Sequence, residues 1–418
     1  MTSTSATTRV MPSARAQGGS RPPARARGGA RPVARGKRIG RVVSLDAARG
    51  LLVLATVAWL AAPRRPFPAS EPWGAVGLDG IALPAFAVIA GCAFAMAQHR
   101  QWTSGGRVLG RAALLLIAGL VIAAVAALIS GAAAGIPFDA AAGTLGGLER
   151  LRVVGPLLQL GIATAVLGLL GLLASTWVGW AWATVVATAI GAGTLWLTTG
   201  LCGELSDACS PATLLVGGVA DAAGVPADPQ ITQAVTTVVA GLGLSLPAAA
   251  GAALVHALLR ARSVNAHQRA RVVGYGLLAA VLFGVLGILA YFTPTVWGQQ
   301  PLEPATALWT PPLTLAVASL ASVLAAAAHP SVDTDLRGGT SALGAFAEPF
   351  AAVGRISLLA VGTTLAARTL LEAMPDPDPV GSFASLGDIP SIVLGMLVAA
   401  VWLGLALWAD RGGRRLRP

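Results

Sequence analysis

Charge is scarce in this chain. Of 418 residues only 11% are charged, while 55% are hydrophobic, and the mean hydropathy is +0.72. A water-soluble domain carries roughly twice that share of charge. A soluble fold would therefore have no surface to show water, and the solvent for most of the chain must be lipid. Histidine is nearly missing, with His99, His256, His267 and His329 the whole set. Cysteine is confined to Cys92, Cys202 and Cys209. No GxxxxGK[ST] loop, HExxH pair or Ser/His/Asp arrangement is present, so nucleotide cradling, zinc hydrolysis and triad chemistry have no carrier. Lysine occurs once, at Lys37, among many arginines. With abundant Ala and Gly, that bias suggests a GC-rich bacterial genome.

What is there is a series of long apolar runs, each near the roughly 20 residues that a helix needs to cross hydrocarbon. They fall at 43–62, 79–98, 108–130, 153–174, 178–199, 233–258, 273–292, 306–328, 356–374 and 390–409. The runs are continuous rather than alternating, which predicts helices and not a barrel. The expectation is an all-α, polytopic membrane protein with about ten transmembrane helices. Arginine counts predict its orientation. Arg100, Arg107, Arg260, Arg262, Arg269, Arg271, Arg337 and Arg355 would occupy cytoplasmic connections. Asp139, Glu204, Asp207, Asp221, Asp228, Glu303, Asp376, Asp378 and Asp388 would lie opposite. Both termini are then cytoplasmic, with Arg64, Arg65, Arg150 and Arg152 as exceptions at the outer face.

The net charge of +11 sits mostly in the tails. Residues 1–41 combine basic side chains with Pro, Gly, Ser and Ala, a composition that cannot bury a core. They read as a disordered cytoplasmic arm drawn to anionic head groups of membrane lipids, not to nucleic acid. Residues 42–410 form the transmembrane domain and 411–418 a basic cytoplasmic tail.

Ionisable groups in or at the edge of a bilayer are costly, so each is a functional candidate. Asp46 and Arg49 share a face at the start of the first helix and can pair; alternatively they complement the dipole and snorkel. Asp79 opens the second helix, as a cap or as a site acid. Pro84 inside that helix frees a carbonyl, as helices lining cavities do. Arg152 opens the fourth, with Gln159 two turns deeper on nearly the same face. Arg368 and Glu372 are four apart, a structural clamp or part of a site. Asp79, Arg152, Asp228 and Arg368 fall toward the outer half, which predicts an outward-opening polar cavity. Cys202 and Cys209 in "LCGELSDAC" lie in the longest outer loop, where an oxidising compartment permits a disulfide. Two cysteines without a neighbouring His are too few for a metal, and none is expected.

Six segments in order resemble the heparan-α-glucosaminide N-acetyltransferase family of membrane acyltransferases. "RVVSLDAARGLLVL" is similar to that family's first helix. "PWGAVGLDGIALPAFAVIAG" is similar to its second, through Trp73, Asp79, Pro84, Phe86 and Gly91. "RVVGPLLQLGIA", "ADPQITQAVTTVVAGLGLS", "PLEPATALWTPPLTLAVASL" with Trp309, and "VGRISLLAV" resemble later motifs, so the likeness spans most of 39–370. The resemblance implies transfer of an acyl group from cytoplasmic acyl-CoA (acetyl-CoA) to an envelope sugar or lipid-linked glycan. It also implies a His three residues before the Trp, supported by the Asp of the second helix and an Asn ending the first. Here those positions hold Ser70 and Leu60, beside Glu71; Gln230, Ile356 and Val361 are further departures.

The catalytic candidates are therefore Asp79 and Glu71, two carboxylates that could share a proton and act as base. Arg152 would orient an acceptor or hold a developing oxyanion. Gln159, Asp228, Trp73 and Arg368 would contact substrate, while Asp46, Arg49, Pro84 and Trp309 carry the structural motifs. The alternative is a catalytically inactive relative that binds or moves a lipid-linked envelope intermediate. The oligomeric state stays open, a homo-oligomer included.

Overall fold

The computed structural model describes residues 43–63, 70–77, 79–99, 105–136, 138–139, 144–145, 155–260, 266–332, 342–374 and 387–411. The expectations for the arm 1–41, for the tail beyond Arg411 and for Arg64, Arg65, Arg150 and Arg152 lie outside the described residues. Among the described residues twelve α-helices follow in order. They are α1 (Val43–Ala61), α2 (Asp79–His99), α3 (Gly105–Ala133), α4 (Pro156–Leu173), α5 (Trp177–Cys202) and α6 (Pro211–Ala223). Then come α7 (Pro229–Arg260), α8 (Ala266–Phe292), α9 (Pro311–Val332), α10 (Ala342–Arg355), α11 (Ser357–Glu372) and α12 (Asp388–Arg411). A 3-10 turn covers Thr293–Trp297, and Phe138–Asp139 pairs antiparallel with Thr144–Leu145.

Among the described residues nine helices are long and apolar enough to cross a membrane, or ten if α10 and α11, bent by 57°, make one span. The protein is a multi-pass α-helical membrane protein. Two differences from the hydropathy reading have a local cause. The apolar segment expected from 356 is preceded by a further helix, α10, because Glu348, Pro349 and Arg355 dilute the hydropathy of a stretch whose apolar residues face α1. The helix expected from 306 begins at Pro311, since the preceding residues form a buried loop.

Successive spans alternate in direction, which defines a near end, where α1 begins, and a far end, where it finishes. Local sequence explains the boundaries. Thr176 caps α5 by accepting from the Gly179 N–H. Ser210 caps α6, Pro211 starts it, and Gly224 stops it in the left-handed region. Thr184, Thr188 and Thr198 on α5 return their hydroxyl protons to carbonyls one turn back, so they cost little in an apolar setting.

Two packed groups build the bundle. One surrounds α7, whose apolar window is 78% buried against 17% for α3. Helices α2 and α7 touch backbone to backbone. A Cβ at Gly91 would overlap the Ala248 carbonyl oxygen, and one at Gly251 the Val88 carbonyl oxygen. Small residues are the means by which helices associate where lipid offers no hydrophobic drive. The second group joins α1, α10, α11 and α12 around Val53, Val57, Val353, Ala360 and Ala399. Gly50 and Gly354 give it the same close approach: a Cβ on either would overlap the facing helix's backbone.

Candidate functional site

The far end is covered by two docked loops, 70–77 and 298–310. The site begins with Asp79, the first residue of α2, where a carboxylate complements the helix dipole. Its Oδ1 accepts two hydrogen bonds from Ser70, from the backbone N–H at 2.9 Å and from Oγ at 2.7 Å. Ser70 Oγ in turn accepts from the Gly77 N–H at 2.9 Å. Gly80 leaves room for this knot, since a Cβ there would press on Ser70 Oγ at 2.6 Å and on Thr306 Cγ2 at 2.8 Å.

Glu71 follows Ser70 but turns elsewhere. Its N–H donates to the Ala75 carbonyl at 2.9 Å and its carbonyl accepts from Thr306 Oγ1 at 3.3 Å. Its exposed carboxylate folds against Gly74, where any Cβ would overlap it. No hydrogen bond links Glu71 to Asp79 among the described residues. In place of Glu71, Ser70 is the residue that engages Oδ1 of Asp79. Trp73 anchors the loop laterally: its Nε1–H donates to Asp207 Oδ1 at 2.6 Å. The Ala307 N–H reaches the Pro72 carbonyl at 3.0 Å and joins the two loops.

The second loop carries an unusual backbone. Trp309 has φ +52°, and it is the one non-glycine residue in that region among the described residues. Such a conformation costs about 1–2 kcal/mol and persists only where the surroundings impose it. They do so here. The buried indole donates Nε1–H to Gln159 Oε1 of α4 at 2.9 Å, and α7 presses its Gly243 against the 308–309 backbone. Thr310, fully buried, accepts from the Ala305 N–H at 3.0 Å. Gln159 and Trp309, picked from separate stretches of sequence, thus meet directly.

The remaining candidates are dispersed. Asp228 caps α7 by accepting from the Gln230 N–H at 2.7 Å, and its exposed carboxylate lies outside the Asp79 knot. Arg368 pairs with Glu372 at 2.5 Å and donates Nη1–H to the Ala62 carbonyl at 2.9 Å, closing the far end of α1. Asp46 and Arg49 lie at the near end, in the first two turns of α1. Pro84 is buried in an α2 that continues through it. Cys202 and Cys209 form a disulfide with Cα atoms 6.1 Å apart. Cys92 is buried and donates Sγ–H to the Gly251 carbonyl at 3.3 Å. Among the described residues no cluster of three His, Cys, Asp or Glu could hold a metal ion.

Sequence reasoning missed a fully hydrogen-bonded polar side chain. Gln98 of α2 donates from Nε2 to the Gly171 and Ala174 carbonyls, both at 3.0 Å. Its Oε1 meets Trp180 Nε1 and His256 Nε2, both at 3.2 Å. A Gln closing an otherwise apolar run was the available signal. Two grooves open on the flanks: about 490 Å³ between α8 and α9, and about 470 Å³ between α1, α11 and α12. Ser70, Glu71 and Asp79 line neither. No family model matches the chain, and no curated protein matches it significantly.

Proposed function

We propose that this protein is a relative of the heparan-α-glucosaminide N-acetyltransferase-like membrane acyltransferases that binds or moves a lipid-linked envelope intermediate without transferring an acyl group. The observation that carries this reading is the state of Ser70. It stands where the resembled family has its His, and its hydroxyl is committed to Asp79 on one side and the Gly77 N–H on the other. Acyl transfer to an amine or hydroxyl needs a base within reach of the acceptor. Asp79 has its Oδ1 engaged twice, and Glu71 is turned to solvent. The described histidine side chains, His99, His256 and His329, sit at near-end helix termini. In this reading the far end faces outward, the termini are cytoplasmic and the membrane is a bacterial cytoplasmic membrane.

One observation favours the second reading, an active acyltransferase fed by cytoplasmic acyl-CoA. Ser70 Oγ–H donates directly to a carboxylate at 2.7 Å, the relation of a hydroxyl nucleophile to its base. A single assay separates the two. Purified protein in nanodiscs is given labelled acetyl-CoA and a lipid-linked amino sugar, and both sugar retention and CoA release are followed. Retention without CoA release is the expected result. Catalytic CoA release that Asp79→Asn abolishes would establish the acyltransferase instead. Reporter fusions at residues 215 and 418 test the orientation, and an external carboxyl terminus would refute it.

A further inference from the structure

The groove between α1, α11 and α12 has a chemistry of its own. Its walls are Leu60 of α1, Leu371 of α11, and Leu394, Val398 and Trp402 of α12, and one cation, Arg368, lines it. Leu60 lies near the far end of α1, Arg368 and Leu371 near the far end of α11, and Trp402 near the middle of α12. From Leu394 to Trp402 the helix rises about 12 Å. One leaflet's hydrocarbon is about 15 Å deep, half of the full core. The groove therefore runs from the head-group level almost to the bilayer midplane, apolar along its length and charged at its mouth.

The charge at the mouth is unevenly served. Glu372 takes Nε–H of Arg368, and the Ala62 carbonyl takes Nη1–H. Neither engages Nη2, whose two protons have no partner among the described residues. Arg368 is the more sheltered member of the ion pair, its side chain 16% exposed against 49% for Glu372. A guanidinium held against apolar walls with the protons of one terminal nitrogen free is matched by a phosphate oxygen, which accepts charge-assisted hydrogen bonds from them.

We propose that this groove is a binding site for an anionic phospholipid of the surrounding bilayer, one acyl chain lying along Leu394, Val398 and Trp402 and the phosphate on Nη2 of Arg368. The site is separate from the Ser70–Asp79 knot and stands whichever reading of that knot holds. Glu372 tunes it. Its carboxylate, already on Nε of the same guanidinium, offsets part of the positive charge that a phosphate on Nη2 would meet.

Native mass spectrometry of the full chain, titrated with phosphatidylglycerol and with phosphatidylcholine of identical chains, tests this. The expected result is one phosphatidylglycerol retained with at least about tenfold preference. Arg368→Gln removes the preference, Glu372→Gln strengthens it, and Val398→Trp, which fills the groove without touching the cation, lowers retention of both lipids about tenfold. Val398→Trp and Glu372→Gln decide the matter if Arg368→Gln fails to fold. Equal retention of the two lipids, or unchanged phosphatidylglycerol occupancy in Val398→Trp, overturns the proposal. Displacement of phosphatidylglycerol by equimolar polyprenyl phosphate overturns the assignment to bulk lipid.

Discussion

Replacing Gln98 by Leu tests whether the near end is held by a single amide. Two backbone carbonyls, of Gly171 in α4 and Ala174 just past it, face the NH₂ group, which fixes the amide orientation and leaves Oε1 as acceptor for Trp180 and His256. Because Oε1 only accepts, His256 carries a proton on Nε2. All four hydrogen-bonding positions of the side chain are used, joining α2 to α4, α5 and α7. Leucine keeps the volume roughly and removes every bond. Trp180 is 0% exposed, so its N–H cannot turn to water, and a buried orphan donor costs about 1–3 kcal/mol. Together with the partly exposed His256 and the buried Ala174 carbonyl, the loss should reach about 2–4 kcal/mol. Retention of the native species after graded heating in mild detergent, read by size exclusion, measures it. The double variant Gln98→Leu, Trp180→Phe removes donor and acceptor together, and should be less destabilised than the sum of the singles by about 1–2 kcal/mol. Additivity within about 0.5 kcal/mol would refute the latch.

Three further perturbations follow from the geometry. Gln159→Leu leaves the buried Trp309 N–H without an acceptor and should cost about 1–3 kcal/mol in the same heating assay; a neutral result would mean that the left-handed Trp309 is held by packing alone. Cys202→Ser opens a short loop and should lower stability by about 2–3 kcal/mol on chain-entropy grounds, with a matching loss when the native protein is reduced; alkylation of both thiols without reductant would contradict the bridge. Gly50→Val drives a side chain into the Phe350 carbonyl and should cost at least about 3 kcal/mol or abolish assembly, seen as loss of the monodisperse peak, whereas Gly193→Val, in open space on α5, should leave the peak intact.

The spans were legible because each is long, continuous and apolar, so a hydropathy window finds them whatever their neighbours do. Helix α10 was not, because Glu348, Pro349 and Arg355 lower its average while its apolar side faces α1. Nor was α6, which at thirteen residues is too short for a membrane pattern. Arg368–Glu372 was legible from spacing alone, as i,i+4 partners on one face. Ser70 and Asp79 were each visible in the sequence, but their bond was not, because it joins a loop to a helix start across nine positions. Gln98 shows the deeper limit. Its four partners come from three other helices, and no local pattern announces that a polar residue has its acceptors and donors waiting elsewhere.

The loop that ends at Trp309 bears on what the far end can do. Non-helical backbone in a bilayer protein survives only where protein or water satisfies its polar groups. This loop uses protein. The Leu302 N–H goes to the Tyr291 carbonyl, Ala305 to Thr310 Oγ1, Ala307 to the Pro72 carbonyl and Thr310 back to the Ala305 carbonyl. Leu302, Ala305, Leu308, Trp309 and Thr310 are all buried. A segment with these donors assigned and these side chains inside resists opening, so it is a platform rather than a lid. Loop 70–77 rests on that platform through Pro72 and Glu71, and Ser70 with Asp79 is held from beneath by Thr306 beside Gly80. Whatever binds at the far end meets a preformed surface, and Thr310→Val, which frees the Ala305 N–H, should loosen that surface before it loosens the helices below.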